Sequence, residues 1–224
     1  MTLQMPDAVP LSFEEVIERG RPVIDGILAG LADEVSEAST RPAFWHPTGF
    51  VVINLRDIPG LGLVRLHIWS KSRRNRREGN PDVHAHVFHL TSYVLAGEYF
   101  ERQYLQHPSL DGDMYGYRVV PPNGDGIDRL VPDGVRYSLE LTKTERSLEG
   151  SFHHLPAGVY HMTENPEGAT CATIALISRP QPGRSDHLIG PEKHRGITSR
   201  RSVVSPSDLS LVLSEIGLFH VAVP

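Results

Sequence analysis

The sequence predicts an all-β-dominated fold with a helix near its N-terminus and a short helix near its C-terminus. Three observations carry this reading. Short runs rich in β-branched and aromatic residues recur from Gly49 to Ser178, separated by turn residues. Eighteen prolines and twenty glycines suit a chain of short strands and many turns. Helix signals are confined to the two ends.

At the first end, Ser12 followed by Glu15 reads as a capping box. Phe13, Val16, Ile17, Ile24, Ile27, Leu28, Leu31 and Val35 then recur at helical spacing, with Pro22 as a bend or restart. From Gly49 the pattern changes to strands over Phe50 to Leu55 and Leu63 to Trp69, followed by a basic loop over residues 71 to 80. Further strands are expected over Val83 to Leu90, Ser92 to Leu95, Glu98 to Leu105, Tyr115 to Val120, Arg136 to Lys143, Leu148 to Leu155 and Ala169 to Ser178. Pro121 to Gly126 and Pro132-Asp-Gly134 read as turns between them. After Arg179 the chain turns polar and rich in Pro and Gly, as for an extended segment wrapping the β domain. Ser205, Pro206 and Asp208 then open a short helix that Gly217 can stop.

Composition narrows the function classes. A net charge of -5 and a pI near 6.2 give no global attraction to nucleic acid or anionic lipid. No apolar run reaches the length of a membrane helix, and Met1 to Pro10 lacks the pattern of a signal peptide. The single Cys171 excludes an internal disulfide framework and suits a reducing cytoplasm. The basic loop at 71 to 78 is the one local phosphate signal, and no aromatic platform interleaves with it.

Two stretches place histidines as a metal would require. Successive strand residues alternate faces, so His84 and His86 project the same way and can share one ion. His161 follows a Pro156-x-Gly158 turn at the start of another strand. Gly150, Pro156, Gly158, His161 and Asn165 resemble the second conserved motif of the cupin superfamily, with no gap. His84, His86 and Gly97 resemble the first motif, with Gly79 one position too close and Leu90 standing where that motif carries a metal-binding Glu. The resemblance covers roughly residues 60 to 178. It implies a double-sheet jelly-roll barrel over 49–180, with 1–48 as an N-terminal helical segment and 181–224 as a C-terminal extension packing on the barrel. It also suggests a homodimer.

Three neutral imidazoles suit zinc, iron, nickel or copper, and suit calcium or magnesium poorly. Without the Glu, the ion's double charge stays unneutralised and favours an anionic or chelating substrate. The resemblance to three-histidine cupins such as cysteine dioxygenase and diketone-cleaving dioxygenases therefore implies Fe(II) acting on a small polar metabolite beside O2. Two rival readings are a zinc-, nickel- or manganese-dependent isomerase, lyase or hydrolase, and a non-catalytic ligand-binding cupin.

Around the triad, Arg65, His67 and Trp69 share one face of their strand and Leu66 and Ile68 the other; the spacing leaves open which face lines the interior. An inward Arg65 could clamp a carboxylate or phosphate. Either His153 or His154 can face the cavity as acid or base, and Arg65, His67 and His154 are the candidate catalytic residues. His89 lies at odd spacing and would be a fourth ligand only through a bulge. Glu98 and Glu101 read as a solvated sheet edge from which a carboxylate could otherwise reach the metal. Tyr160 is expected to point away from the metal, and Cys171 to be a buried strand residue.

Overall fold

The computed structural model describes residues 10–120, 127–193 and 195–218. The N-terminal stretch 1–9 and the turn expected over Pro121 to Gly126 lie outside the described residues.

The chain opens with α1 (Phe13–Ala29) and α2 (Leu31–Ala38). Both halves of the capping box form: the Glu15 amide donates to Ser12 Oγ at 3.2 Å and the Ser12 amide donates to Glu15 Oε2 at 2.7 Å. Val16, Gly20, Ile24 and Ile27 form the buried stripe. Gly20 sits against Leu176 so closely that a Cβ there would lie 2.7 Å from its side chain. The helix continues through Pro22 and restarts at Gly30 instead. Pro22 and Glu18 are both exposed, so water can take the Glu18 carbonyl that proline leaves unpaired.

The strands follow as β1 (Phe44–Trp45), β2 (Thr48–Gly49), β3 (Val51–Ile58), β4 (Gly62–Trp69), β5 (Asn75–Arg76), β6 (Val83–Ala85), β7 (Leu90–Ala96) and β8 (Glu98–Pro108). Next come β9 (Met114–Val120), β10 (Ile127–Leu148), β11 (Phe152–Leu155), β12 (Tyr160–Glu164), β13 (Cys171–Ser178), β14 (His187–Gly190) and β15 (Ile197–Arg200). α3 (Pro206–Ser214) closes the described fold, capped by Ser205, whose Oγ accepts the Asp208 amide at 3.1 Å.

Two large sheets result. The first runs β1-β3-β4-β13-β7-β11 and the second β15-β10-β8-β12-β6-β14-β9. β13 is buried along its whole length because both faces are covered. Ala172, Ile174 and Leu176 join Val64, Leu66 and Ile68 in the core under the helices, while Thr173, Ala175 and Ile177 line a cavity on the other face.

Three expectations are corrected. The strand expected over Val83 to Leu90 is two strands, interrupted at 86–89. Pro132-Asp-Gly134 does not separate strands; it is a bulge within the long β10, whose register against β9 shifts between Pro132 and Arg136. The stretch after Arg179 does not merely wrap: β14 inserts between β6 and β9, and β15 adds to β10. No helix among the described residues is long and apolar enough to cross a membrane.

Candidate metal centre

His84 lies on β6 and His86 just beyond its end, and His161 stands directly across from His84 in the antiparallel β6–β12 pair. One ring nitrogen from each lies within 4.8 Å of the others, a spacing that fits a single ion. The local chain explains the approach. Gly158, at φ +82°, donates its amide to the His86 carbonyl at 2.9 Å, which ties the turn before β12 to the residue after β6. A side chain at 158 would collide with the Arg184 guanidinium, so both backbone angle and space call for glycine.

Each imidazole turns one nitrogen outward. His84 Nδ1 donates to the Asp82 carbonyl at 2.7 Å and His161 Nδ1 to the Val159 carbonyl at 3.2 Å. His86 Nδ1 faces Asp186 Oδ1 at 3.7 Å. These outer oxygens select the tautomer that leaves Nε2 with its lone pair free, the usual arrangement behind a metal-binding histidine. Burial, reinforced by neighbouring His86, lowers the His84 pKa to about 3, and burial with His84 and His86 holds His161 well below its ordinary value. Both are therefore neutral at neutral pH, the form that binds a metal. For Asp186, burial alone would raise the carboxyl; the His86 ring and the Val87 amide outweigh it and hold the pKa below its ordinary value.

The triad opens on a cavity of about 1050 Å³ between the two sheets. Arg65, His67 and Trp69 line it, while Leu66 and Ile68 are fully buried beneath the helices, which settles the face that the spacing left open. Leu90 lines the cavity too, so an apolar side chain occupies the wall where the resemblance places a carboxylate. From the basic loop, Lys71, Arg74, Arg76 and Arg77 stand at the cavity. Glu215 after α3 anchors the start of this loop: it accepts from Ser70 Oγ at 2.9 Å and from the Lys71 amide at 3.1 Å.

His154 is a correction. β11 pairs with β7 so that His153 faces Ser92, a cavity residue, while His154 faces Thr91 on the helix side. His154 stacks with Phe152 at 6.0 Å and does not line the cavity, so it is not placed to act on a ligand there. His89 is no fourth ligand either; its Nδ1 accepts the Ala157 amide at 2.9 Å and its ring packs on Phe13. Glu98 pairs with Arg146. Glu101, expected at a solvated edge, is only 1% exposed and lines the cavity. Its Oε1 accepts from Gln103 Nε2 at 2.8 Å and lies 3.1 Å from His153 Nε2, off the line of a hydrogen bond. Tyr160 points away as expected, its hydroxyl 2.9 Å from His187 Nδ1, and His187 is held in turn by Asp133. Cys171 is fully buried, and burial raises its thiol to about 12.

Sequence reasoning missed His46, Phe50 and Asp186. His46 and Phe50 stack with centroids 4.2 Å apart on the cavity wall. Position relative to a motif gave no signal for any of them, although Phe50 opens the stretch expected as a strand and stands one residue before β3. No protein-family model matches this chain, and no curated protein matches it.

Taken together, these residues offer one metal position with three imidazole donors, a carboxylate behind His86, and a roomy cavity walled by arginine and aromatic rings.

Proposed function

We propose that the protein is a three-histidine cupin, a metal-dependent enzyme of the mononuclear non-haem Fe(II) oxygenase type acting on a small anionic metabolite that chelates the metal. The observation that carries this reading is the convergence of His84, His86 and His161, with Nδ1 of each turned to an outer oxygen and no carboxylate in the group. The two-sheet, β-dominated architecture supports the cupin reading.

His84, His86 and His161 would hold the ion; bound Fe(II) supplies one-electron chemistry toward O2 next to a chelated substrate. Imidazoles that coordinate an ion bring it no negative charge, which would leave that demand to the substrate. Asp186 keeps the His86 ring oriented. Phe50, Trp69 and Tyr99 would supply the apolar part of a cavity wall that is otherwise rich in charged and polar side chains.

The test is elemental analysis of protein purified without a tag, followed by oxygen-electrode assays with Fe(II) and a panel of 2-oxo acids, β-diketones, catechols and thiols. Iron at one equivalent with substrate-dependent O2 uptake supports the proposal. Activity that needs only zinc and persists without oxygen would overturn it.

A further inference from the structure

The cavity wall formed by β3 and β4 carries a cation that the fold itself does not neutralise. Arg65 lines the cavity on β4, directly across from Asn54 on β3, and its Nε donates to Asn54 Oδ1 at 3.0 Å. This bond orients the plane of the guanidinium. No carboxylate lies within ion-pair distance of Arg65 among the described residues, so the terminal fork is left for a ligand. Burial, with Arg201 nearby, lowers its pKa to about 10, which still leaves it charged at neutral pH. Even a partly buried charge without a counter-ion is costly, and a bound anion relieves that cost.

Beside Arg65 the wall is aromatic, with rings tilted against one another. Phe50 stands 4.4 Å from Trp69 and 5.0 Å from His67, centroid to centroid. His67 makes ring contacts but no hydrogen bond among the described residues, and burial next to Arg65 keeps it neutral, with a pKa of about 3. A single guanidinium fork matches a carboxylate in two parallel hydrogen bonds. Aromatic walls take up planar rings by stacking or edge contacts. The volume of about 1050 Å³ lies at the upper end of small-molecule sites, roomier than an amino acid needs.

We propose that this wall is a subsite for a planar aromatic carboxylate, its carboxylate on the fork of Arg65 and its ring against Phe50 and Trp69. The assignment rests on the metal-enzyme reading for its place in a reaction, since the three histidines line the same cavity and a second substituent of such a ligand would have to reach them. The binding half stands on Arg65 and the rings alone and is testable without metal.

The experiment is isothermal titration of the full chain after EDTA treatment, with 2-naphthoate as the probe. Comparators are 2-naphthalenemethanol, cyclohexanecarboxylate and inorganic phosphate. The expected result is one naphthoate bound per chain, more tightly than any comparator. Arg65→Met should weaken naphthoate by at least about tenfold, the usual loss for a charged hydrogen-bond pair, and erase the preference over the alcohol. Arg65→Lys, which keeps the charge without the fork, should fall between. Phe50→Leu should weaken naphthoate while leaving cyclohexanecarboxylate unchanged. Equal binding of acid and alcohol, tighter binding of phosphate, unchanged affinity in folded Arg65→Lys, or no naphthoate binding by the folded protein would each overturn the proposal. His161→Ala separates the two readings. If the metal reading alone fails, the protein takes up no ion, yet metal-free naphthoate binding persists in wild type and His161→Ala alike.

Discussion

Acidification should destabilise the metal-free protein well before its carboxylates titrate. His67 and His84 are both held near pKa 3, against an ordinary value of 6.5, chiefly by burial. Their folded pKa lies below the unfolded one, so as pH falls through 6.5 the unfolded chain takes up protons that the native state refuses. Stability is therefore full above 6.5 and is lost on the way down to about 3. From pH 8 to 5, each of these two histidines removes about 2 kcal/mol, at roughly 1.4 kcal/mol per pH unit below 6.5. Together they remove about 4 kcal/mol, a large part of the 5–15 kcal/mol typical of a folded domain. His46 and His161 are lowered by burial as well and act in the same direction. Asp133, Asp186 and Glu215 are lowered despite burial by their hydrogen bonds, so their contribution disappears only below the ordinary carboxylate range. The window from pH 8 to 5 thus belongs to the histidines. Urea unfolding of EDTA-treated protein across this window should show the midpoint fall by about 2 M, for a slope of about 2 kcal/mol per M. His67→Gln should recover about half of that fall. Stability constant to within about 1 kcal/mol from pH 8 to 5 would refute the burial argument, as would an unchanged pH slope in the variant.

Three further outcomes are expected. Asp186→Asn should lower affinity for Zn(II) or Fe(II) by about 10- to 100-fold through loss of the outer anchor on His86, read by competition with a chromogenic chelator, without changing naphthoate binding. Ser12→Ala removes one half of the capping box and should cost about 1 kcal/mol, or about 2–4 °C in Tm for a chain of this size, read by calorimetry. Cys171 should resist a thiol reagent such as dithionitrobenzoate in the native state and react at once in urea, since burial both shields it and raises its pKa to about 12.

The triad was legible because two local rules converge on it: strand alternation for His84 and His86, and a glycine turn placing His161. The helix caps were legible for the same reason, since Ser12, Glu15 and Ser205 act within a few residues of themselves. What stayed hidden depends on partners far along the chain. Alternation divides β4 into two faces, but only the helices packed on Leu66 and Ile68 show that Arg65 and His67 face inward. His153 and His154 look equivalent in sequence, and the β7 pairing alone decides between them. Glu101 reads as solvated because a lone carboxylate on a strand usually is; its burial follows from β12 and β11 covering it. Asp186 sits ninety-nine positions from Val87, whose amide it accepts, and no local pattern links them.

The shortness of β6 has a consequence for how the protein opens. Three residues long, it meets β12 through a single registered pair, His84 with His161, and β14 through three. An ion shared across that pair would act as a clasp on the weakest seam of its sheet, since a one-residue slip turns His161 to the opposite face and breaks the triad. Without the clasp, the 83–90 segment is where fraying should begin and amide exchange should be fastest among the cavity-forming strands. Ion binding would then do double duty, as chemistry at the cavity and as a lock on strand alignment.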